Sequence, residues 1–173
     1  LPRPPDRQSA AQLTGQGAVL DQSAWIVRVK RDGRSEAQQA LDRGDVRVFW
    51  ELHVEPGATF DEIKEAFTKA DPELGTHSAG TQAGNLYRFV TRMQPGDIVL
   101  LPEGSDLYFG TVDGDASFDT ERNEWVRPVV WTNTDSPVDR SEVSPELYSR
   151  LRSLLTVTDI TEMTDEVAGY VSD

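Results

Sequence analysis

The residue types that carry most enzyme chemistry are scarce or badly spaced in this chain. There is no cysteine, which excludes a thiol nucleophile, Cys-ligated zinc and structural disulfides. His53 and His77 are the only histidines, and neither has a metal-ligating partner at the usual spacing in its own segment. Ser78-Ala79-Gly80 lacks the G-x-S-x-G frame of a nucleophile elbow. Gly110-Thr-Val-Asp-Gly lacks the GK[ST] of a phosphate loop. Asp113 and Asp115 flank one glycine, and D-G-D in a turn reads as a solvated hairpin end. With 30 acidic residues against 17 basic ones, carboxylate pairs arise by chance. The sequence therefore assigns no catalytic residue, no metal and no cofactor. What remains is aromatic and basic: Trp25, Trp50, Trp125 and Trp131, and the cations Arg28, Lys30, Arg31, Arg34, Arg43 and Arg47 crowded into one segment.

The formal net charge of −13 works against broad phosphate neutralisation, because such a chain repels a polyanion at long range. The charge is uneven, however. Cations crowd the segment from Arg28 to Arg47, and acids crowd the one from Glu103 to Glu124. A length of 173 residues suits one domain with tails. No apolar run approaches a membrane span, and no secretory pattern opens the chain, so a cytoplasmic location is expected. Leu1 in place of an initiator Met suggests a fragment or a tag scar.

The elements that would position these side chains are readable from period and punctuation. Residues 1–23, rich in proline and polar side chains, read as a flexible tail, with Ala18–Leu20 expected to dock. WIVRVK, Trp25 to Lys30, is a strand, and Asp32-Gly33 a turn. Ser35 caps a short helix that Gly44 ends. VRVFWEL, Val46 to Leu52, is a second strand with Val46, Val48 and Trp50 on one face and Arg47, Phe49 and Glu51 on the other. Thr59 and Glu62 form a capping box ahead of the stripe Phe60, Ile63, Ala66, Phe67. Ala83, Leu86, Tyr87, Val90 and Met93 predict a helix over Gly84–Met93, stopped by Pro95-Gly96.

Ile98–Leu101 and Leu107–Val112 predict a hairpin looping at Pro102–Asp106. Asp97 is placed to cap the turn before it. Asp113–Asn123 is an acidic, turn-rich loop, and Glu124–Trp131 a third strand with Arg127, Val129 and Trp131 on one face. Ser144-Pro145 starts a helix that buries Leu147, Leu151 and Leu154. Thr156 to Ile160 is a last strand, and residues 161–173 read as a frayed tail or linker. The fold class expected is α/β of the α+β type. A strongly bent mixed sheet approaches a barrel, flanked by helices, over residues 24–160.

The ordered series of these segments resembles the N-terminal PUA-like domain of Mrr-type, modification-dependent restriction endonucleases, and the wider set with EVE and YTH domains. The carrying residues are Trp25-Ile26-Val27-Arg28, Val46–Trp50, AGNLYRFV (Ala83 to Val90), GDIVL (Gly96 to Leu100), FGTVDGD (Phe109 to Asp115), VRPVVW (Val126 to Trp131) and LLTVTDI (Leu154 to Ile160). Each is weak alone; their order is fairly specific. Two positions depart from the pattern: Phe49 replaces a glycine, and Ser117 replaces an aromatic.

The resemblance implies a domain that flips a modified base, most simply a modified cytosine in DNA rather than RNA, and holds it between aromatic faces. It implies an effector nuclease domain in cis or in trans, in restriction or anti-phage defence; this chain itself is not expected to cut DNA. By the same resemblance Trp50 is the first pocket candidate, against the reading that it is core. Trp25, Trp131 and Tyr87 follow, each with a core reading beside it, and Trp125, set among charged residues, follows as an exposed stacking candidate. Arg28, Lys30, Arg31, Arg34 and Arg88 are the nucleic-acid contacts, expected to ring the pocket mouth with the acidic hairpin away from it. The charge favours an alternative: a non-catalytic protein-interaction or regulatory module with a PUA-like fold.

Overall fold

In the computed structural model, residues 22–172 are described. The readings made above for residues 1–21, Ala18–Leu20 included, lie outside them. The centre is a strongly curled mixed sheet in the order β10-β1-β5-β6-β8-β4. Here β1 is Ala24–Val27, β4 Asp45–Val48, β5 Ile98–Glu103, β6 Asp106–Val112, β8 Glu124–Trp131 and β10 Val157–Asp159. Strands β1 and β5 pair in parallel and the other neighbours antiparallel. Two short strands extend it: β7, Ser117–Asp119, on β8, and β9, Val138–Asp139, on β6. A separate hairpin, β2 Lys30–Arg31 with β3 Arg34–Ser35, follows β1. Asp32 and Gly33, both with positive φ, make its turn.

Every residue of β1 and the first four of β5 are buried, because helices cover both faces of the sheet there. On the concave side Trp25, Val27, Val99 and Leu101 pack with α2, Phe60–Ala70, and α3, Thr76–Tyr87. On the other side Ala24, Ile26, Ile98 and Leu100 pack with α4, Pro145–Arg150, and α5, Thr164–Val171. The two clusters share strands and therefore belong to one sheet. Helix α1, Ala37–Arg43, packs beside β4 and ends at Gly44 in the left-handed region, with φ 73°. Ser35 Oγ accepts from the Ala37 amide. The Thr59–Glu62 capping box forms in both directions.

Several boundaries differ from the sequence reading. Helix α3 starts at Thr76 and continues into a π-helical turn, Arg88–Arg92, closed by the Met93 amide on the Arg88 carbonyl at 2.8 Å. The β5–β6 loop shrinks to Gly104 and Ser105, with Glu103 opposite Asp106 and Gly104 at φ 60°. The second strand stops at Val48 rather than Leu52. Its partner β8 begins at Glu124, one residue before the Val48–Trp125 pair, so the chain beyond has no ladder to join. The acidic loop contains β7. Leu154 is fully exposed because α4 ends at Arg150. Residues 161–173 are no frayed tail over the part described: a 3-10 turn, Thr161–Met163, leads into α5, which buries Val167. The Tyr170 ring stacks on Phe109 at 4.8 Å, and Glu166 accepts from both the amide and hydroxyl of Ser144.

Candidate nucleic-acid cleft

The four tryptophans separate by environment. Trp25 is 1% exposed in the middle of β1, and its Nε1 donates to Asp97 at 2.9 Å. Asp97 also accepts from the Ser23 and Gln94 amides, so the turn before β5 and the start of β1 share one carboxylate. Trp125 is also 1% exposed, held between His53 and Phe118, with Nε1 donating to the Leu52 carbonyl. Both are core residues: an indole buried this deeply offers no face to a ligand. This corrects the exposed position expected for Trp125. Trp131 is half-buried and ties β8 to α1 through Nε1 and the Ala40 carbonyl at 3.1 Å. Tyr87 meets Phe60 edge-on at 6.2 Å on the concave side.

Trp50 is different. Having left the sheet with Phe49, it touches Phe67 edge-on at 6.3 Å and lines a cleft of about 360 Å³. Phe49 and Glu51 line the same cleft. Strand alternation would have put Phe49 and Trp50 on opposite faces; the irregular backbone after Val48 brings both to one opening. The facing wall is the β2–β3 hairpin, through Lys30, Arg31 and Asp32, with Thr156 from the lead-in to β10. Contributions thus come from beyond β4, one edge of the curled sheet, and from beside β1 and β10, the other edge. The cleft lies at the seam of the partial barrel.

Of the five cations expected at the mouth, Lys30 and Arg31 line it. Arg34 is exposed on β3, paired across the hairpin with Arg31. Arg28 and Arg88 are struts instead. Arg28 donates to the Leu151 and Leu155 carbonyls, which holds the chain between α4 and β10. Arg88 donates from Nε to the Val157 carbonyl and from Nη2 to Asn85 Oδ1, which itself accepts from the Val157 amide. Burial lowers the pKa of both guanidiniums. A group committed to backbone carbonyls in this way is not free to hold a phosphate.

Arg31 ties the cleft wall to an ion network. Arg31 pairs with Glu124, which is almost wholly buried, and its guanidinium lies 4.6 Å from the Phe49 ring centre. Arg47 reaches the other Glu124 oxygen at 2.7 Å, Asp119 at 3.0 Å and Asp45 at 3.2 Å. Asp45 is buried and its Oδ1 has no hydrogen-bond partner. Burial pushes its carboxyl up from the ordinary range, and Arg47 opposes the shift. Asp119, by contrast, is held low by its hydrogen bond from Arg47. The separation of charge expected from sequence is therefore incomplete. Asp32 and Glu51 share the rim with Lys30 and Arg31, and Arg31 is itself paired with the β8 carboxylate Glu124.

Phe49, Asp32, Glu51 and Thr156 were absent from the sequence-based site. Phe49 carried the one available signal, as an aromatic standing where the resembled pattern has glycine. Ser117, the second departure, is exposed on β7. Arg127, on the inward face of β8, donates to the Phe89, Val90, Met93 and Gly114 carbonyls. Its pKa is lowered to about 10 by burial. It thereby fixes the π-helical turn rather than reaching a ligand. A second, hydroxyl-lined cleft of similar size runs along Thr132–Ser136 beside Tyr170. Among the described residues no group of three or more His, Asp or Glu side chains is arranged to hold a metal ion, and no helix is long and apolar enough to cross a membrane.

No curated protein and no solved structure matches the chain. One family model does, described as Domain of unknown function (DUF8426), and its match covers residues 25–160. That range holds the sheet, both cleft walls and most of the chain, so the chain belongs to the DUF8426 family.

Proposed function

We propose that this domain is a specificity module that flips a modified base, a modified cytosine in DNA, into the cleft at the sheet seam. It would serve an effector nuclease, in cis or in trans, in modification-dependent restriction or anti-phage defence. The observation that carries the reading is the pairing of two half-buried aromatics, Phe49 and Trp50, with Lys30 and Arg31 across an opening of about 360 Å³. A flat ring needs an accessible π-face, and a nucleotide adds a phosphate that a rim cation can meet. Trp50 supplies the face; Lys30, exposed on the hairpin, supplies the cation.

Binding by wild type and Trp50→Ala to duplexes carrying methylated, hydroxymethylated or glucosylated cytosine, methylated adenine or no modification tests this. Trp50→Ala should lose roughly 1–3 kcal/mol of affinity for the preferred modified duplex, along with its discrimination. Its melting should change little. A variant that discriminates as well as the wild type removes Trp50 from the pocket. So does one that melts far earlier while its folded fraction binds normally. The second reading, a protein-interaction module, is favoured by the net charge of −13 and by Asp32 and Glu51 on the rim. It predicts no oligonucleotide binding at moderate salt.

A further inference from the structure

We propose that Leu154 is the wedge that fills the gap in the base stack while the flipped base occupies the cleft; this rests on the modified-base reading above. Leu154 is 96% exposed, the most exposed of the large hydrophobic residues described. A single exposed leucine is ordinary on a protein surface. Three features set this one apart.

The first is place. Thr156 lines the cleft, and the Cα atoms of Leu154 and Thr156, two peptide units apart, are separated by at most about 7.6 Å. The leucine's backbone is therefore tied within that reach of a residue of the cleft wall.

The second is rigidity. A wedge has to keep its position against the stack, and this loop is braced from several sides. Arg28 holds the Leu151 and Leu155 carbonyls. The Thr156 carbonyl accepts from the Arg28 amide at 2.9 Å. Ser153 Oγ accepts from the Leu155 amide and from the Thr158 hydroxyl. The half-buried strut Arg28 thus acts on nucleic acid through the loop it holds.

The third is charge. From Leu147 to Thr158 this acidic chain has no Asp or Glu; Arg150 is paired with Glu162 at 2.7 Å, which leaves Arg152 as the cation beside the leucine. Arg152 is exposed. With Lys30 on the hairpin that lines the same cleft as Thr156, Arg152 gives this segment a second exposed cation for a phosphate backbone. Apolar wedges inserted between base steps are a general means of unstacking a duplex, since they replace lost stacking contacts with new apolar ones.

A wedge matters only where there is a stack to open, and the test uses that asymmetry. Wild type, Leu154→Ala and Leu154→Met are titrated with the preferred cytosine-modified oligonucleotide, once as a duplex and once as a single strand. A 2-aminopurine beside the modified base reports unstacking. Leu154→Ala should bind the duplex roughly tenfold more weakly and lose the 2-aminopurine signal, yet bind the single strand as the wild type does. Leu154→Met should recover most of the duplex affinity. Equal loss on both substrates, or no loss on either, overturns the wedge. Wild-type discrimination confined to single strands also overturns it while leaving the modified-base reading intact. A wild type that discriminates on neither substrate overturns both. Because Leu154 is exposed, the alanine variant should melt with the wild type, which keeps each arm interpretable.

Discussion

Replacing Asp97 by alanine should destabilise the domain by about 4 kcal/mol. The figure follows from what the carboxylate holds. Trp25 Nε1 and the Gln94 amide both donate to Oδ2 at 2.9 Å, and the Ser23 amide donates to Oδ1 at 3.1 Å. The indole is buried, so no water replaces the lost acceptor, and an orphaned donor there costs about 1–3 kcal/mol. The two amides lie nearer solvent and account for about 0.5–1.5 kcal/mol each. At about 2–4 °C per kcal/mol for a domain of this size, Asp97→Ala should melt roughly 8–16 °C lower. Urea and thermal unfolding, followed by tryptophan fluorescence and circular dichroism, measure both quantities. Asp97→Asn keeps an acceptor and should lose about half as much. In a Trp25→Phe background the alanine change should cost about 1–2 kcal/mol less, since the orphaned donor is gone. A single Asp97→Ala variant melting within about 2 °C of the wild type would refute the account of this turn as the anchor of β1.

Gly110→Ala should cost about 3 kcal/mol or more, read by thermal melting, because an added Cβ would meet Val129 Cγ1 at 2.6 Å and the Val130 carbonyl oxygen at 2.7 Å. Gly169→Ala on α5, where a Cβ meets nothing within 4 Å, should instead stabilise by roughly 0.5–1 kcal/mol. Asp45→Asn should raise the melting temperature at neutral pH. The folded-state pKa of Asp45 is raised, so stability is lost as pH rises from the ordinary carboxylate range through the folded value, and the charged form weakens the fold above it. The advantage of the asparagine variant should therefore shrink as pH falls through the folded pKa, and a constant or growing advantage in acid would contradict the burial argument.

The parts of the fold legible in sequence were those decided within a few residues. Thr59 and Glu62 meet across one helical turn, Ser144 caps a helix whose first residue is Pro145, and Gly44 must take positive φ. Strand β8 was legible because both its faces are regular over eight residues. The misreadings share a cause in long-range contact. Arg88 looked like a free cation because its acceptor, the Val157 carbonyl, lies 69 residues away. Trp125 looked exposed among charged neighbours, but His53, Phe118 and the Leu52 carbonyl cover it from other segments. Helix α5 was read as a tail because eight residues bearing Asp165 and Glu166 carry a weak apolar signal until the outer face of the sheet is there to receive Val167. Trp50 was legible as a residue that meets an opening. Its neighbour Phe49 was not, because two-residue alternation assumes a strand that ends only where the sequence pattern does.

Arg31 has a consequence for salt dependence. Its guanidinium is already occupied by a buried internal anion, Glu124, so a phosphate arriving at the rim would exchange for a carboxylate rather than displace a mobile counterion. Glu124 would not be stranded, since Arg47 holds its other oxygen at 2.7 Å. In ordinary duplex binding each neutralised phosphate adds about −0.9 to the slope of log affinity against log salt. Lys30, exposed on the hairpin, can contribute in that way; Arg31, released from one partner to take another, contributes little. Under the proposed function, affinity would then be set more by the aromatic cleft than by ionic strength, which is how a protein carrying thirteen excess negative charges can keep a polyanion as its ligand.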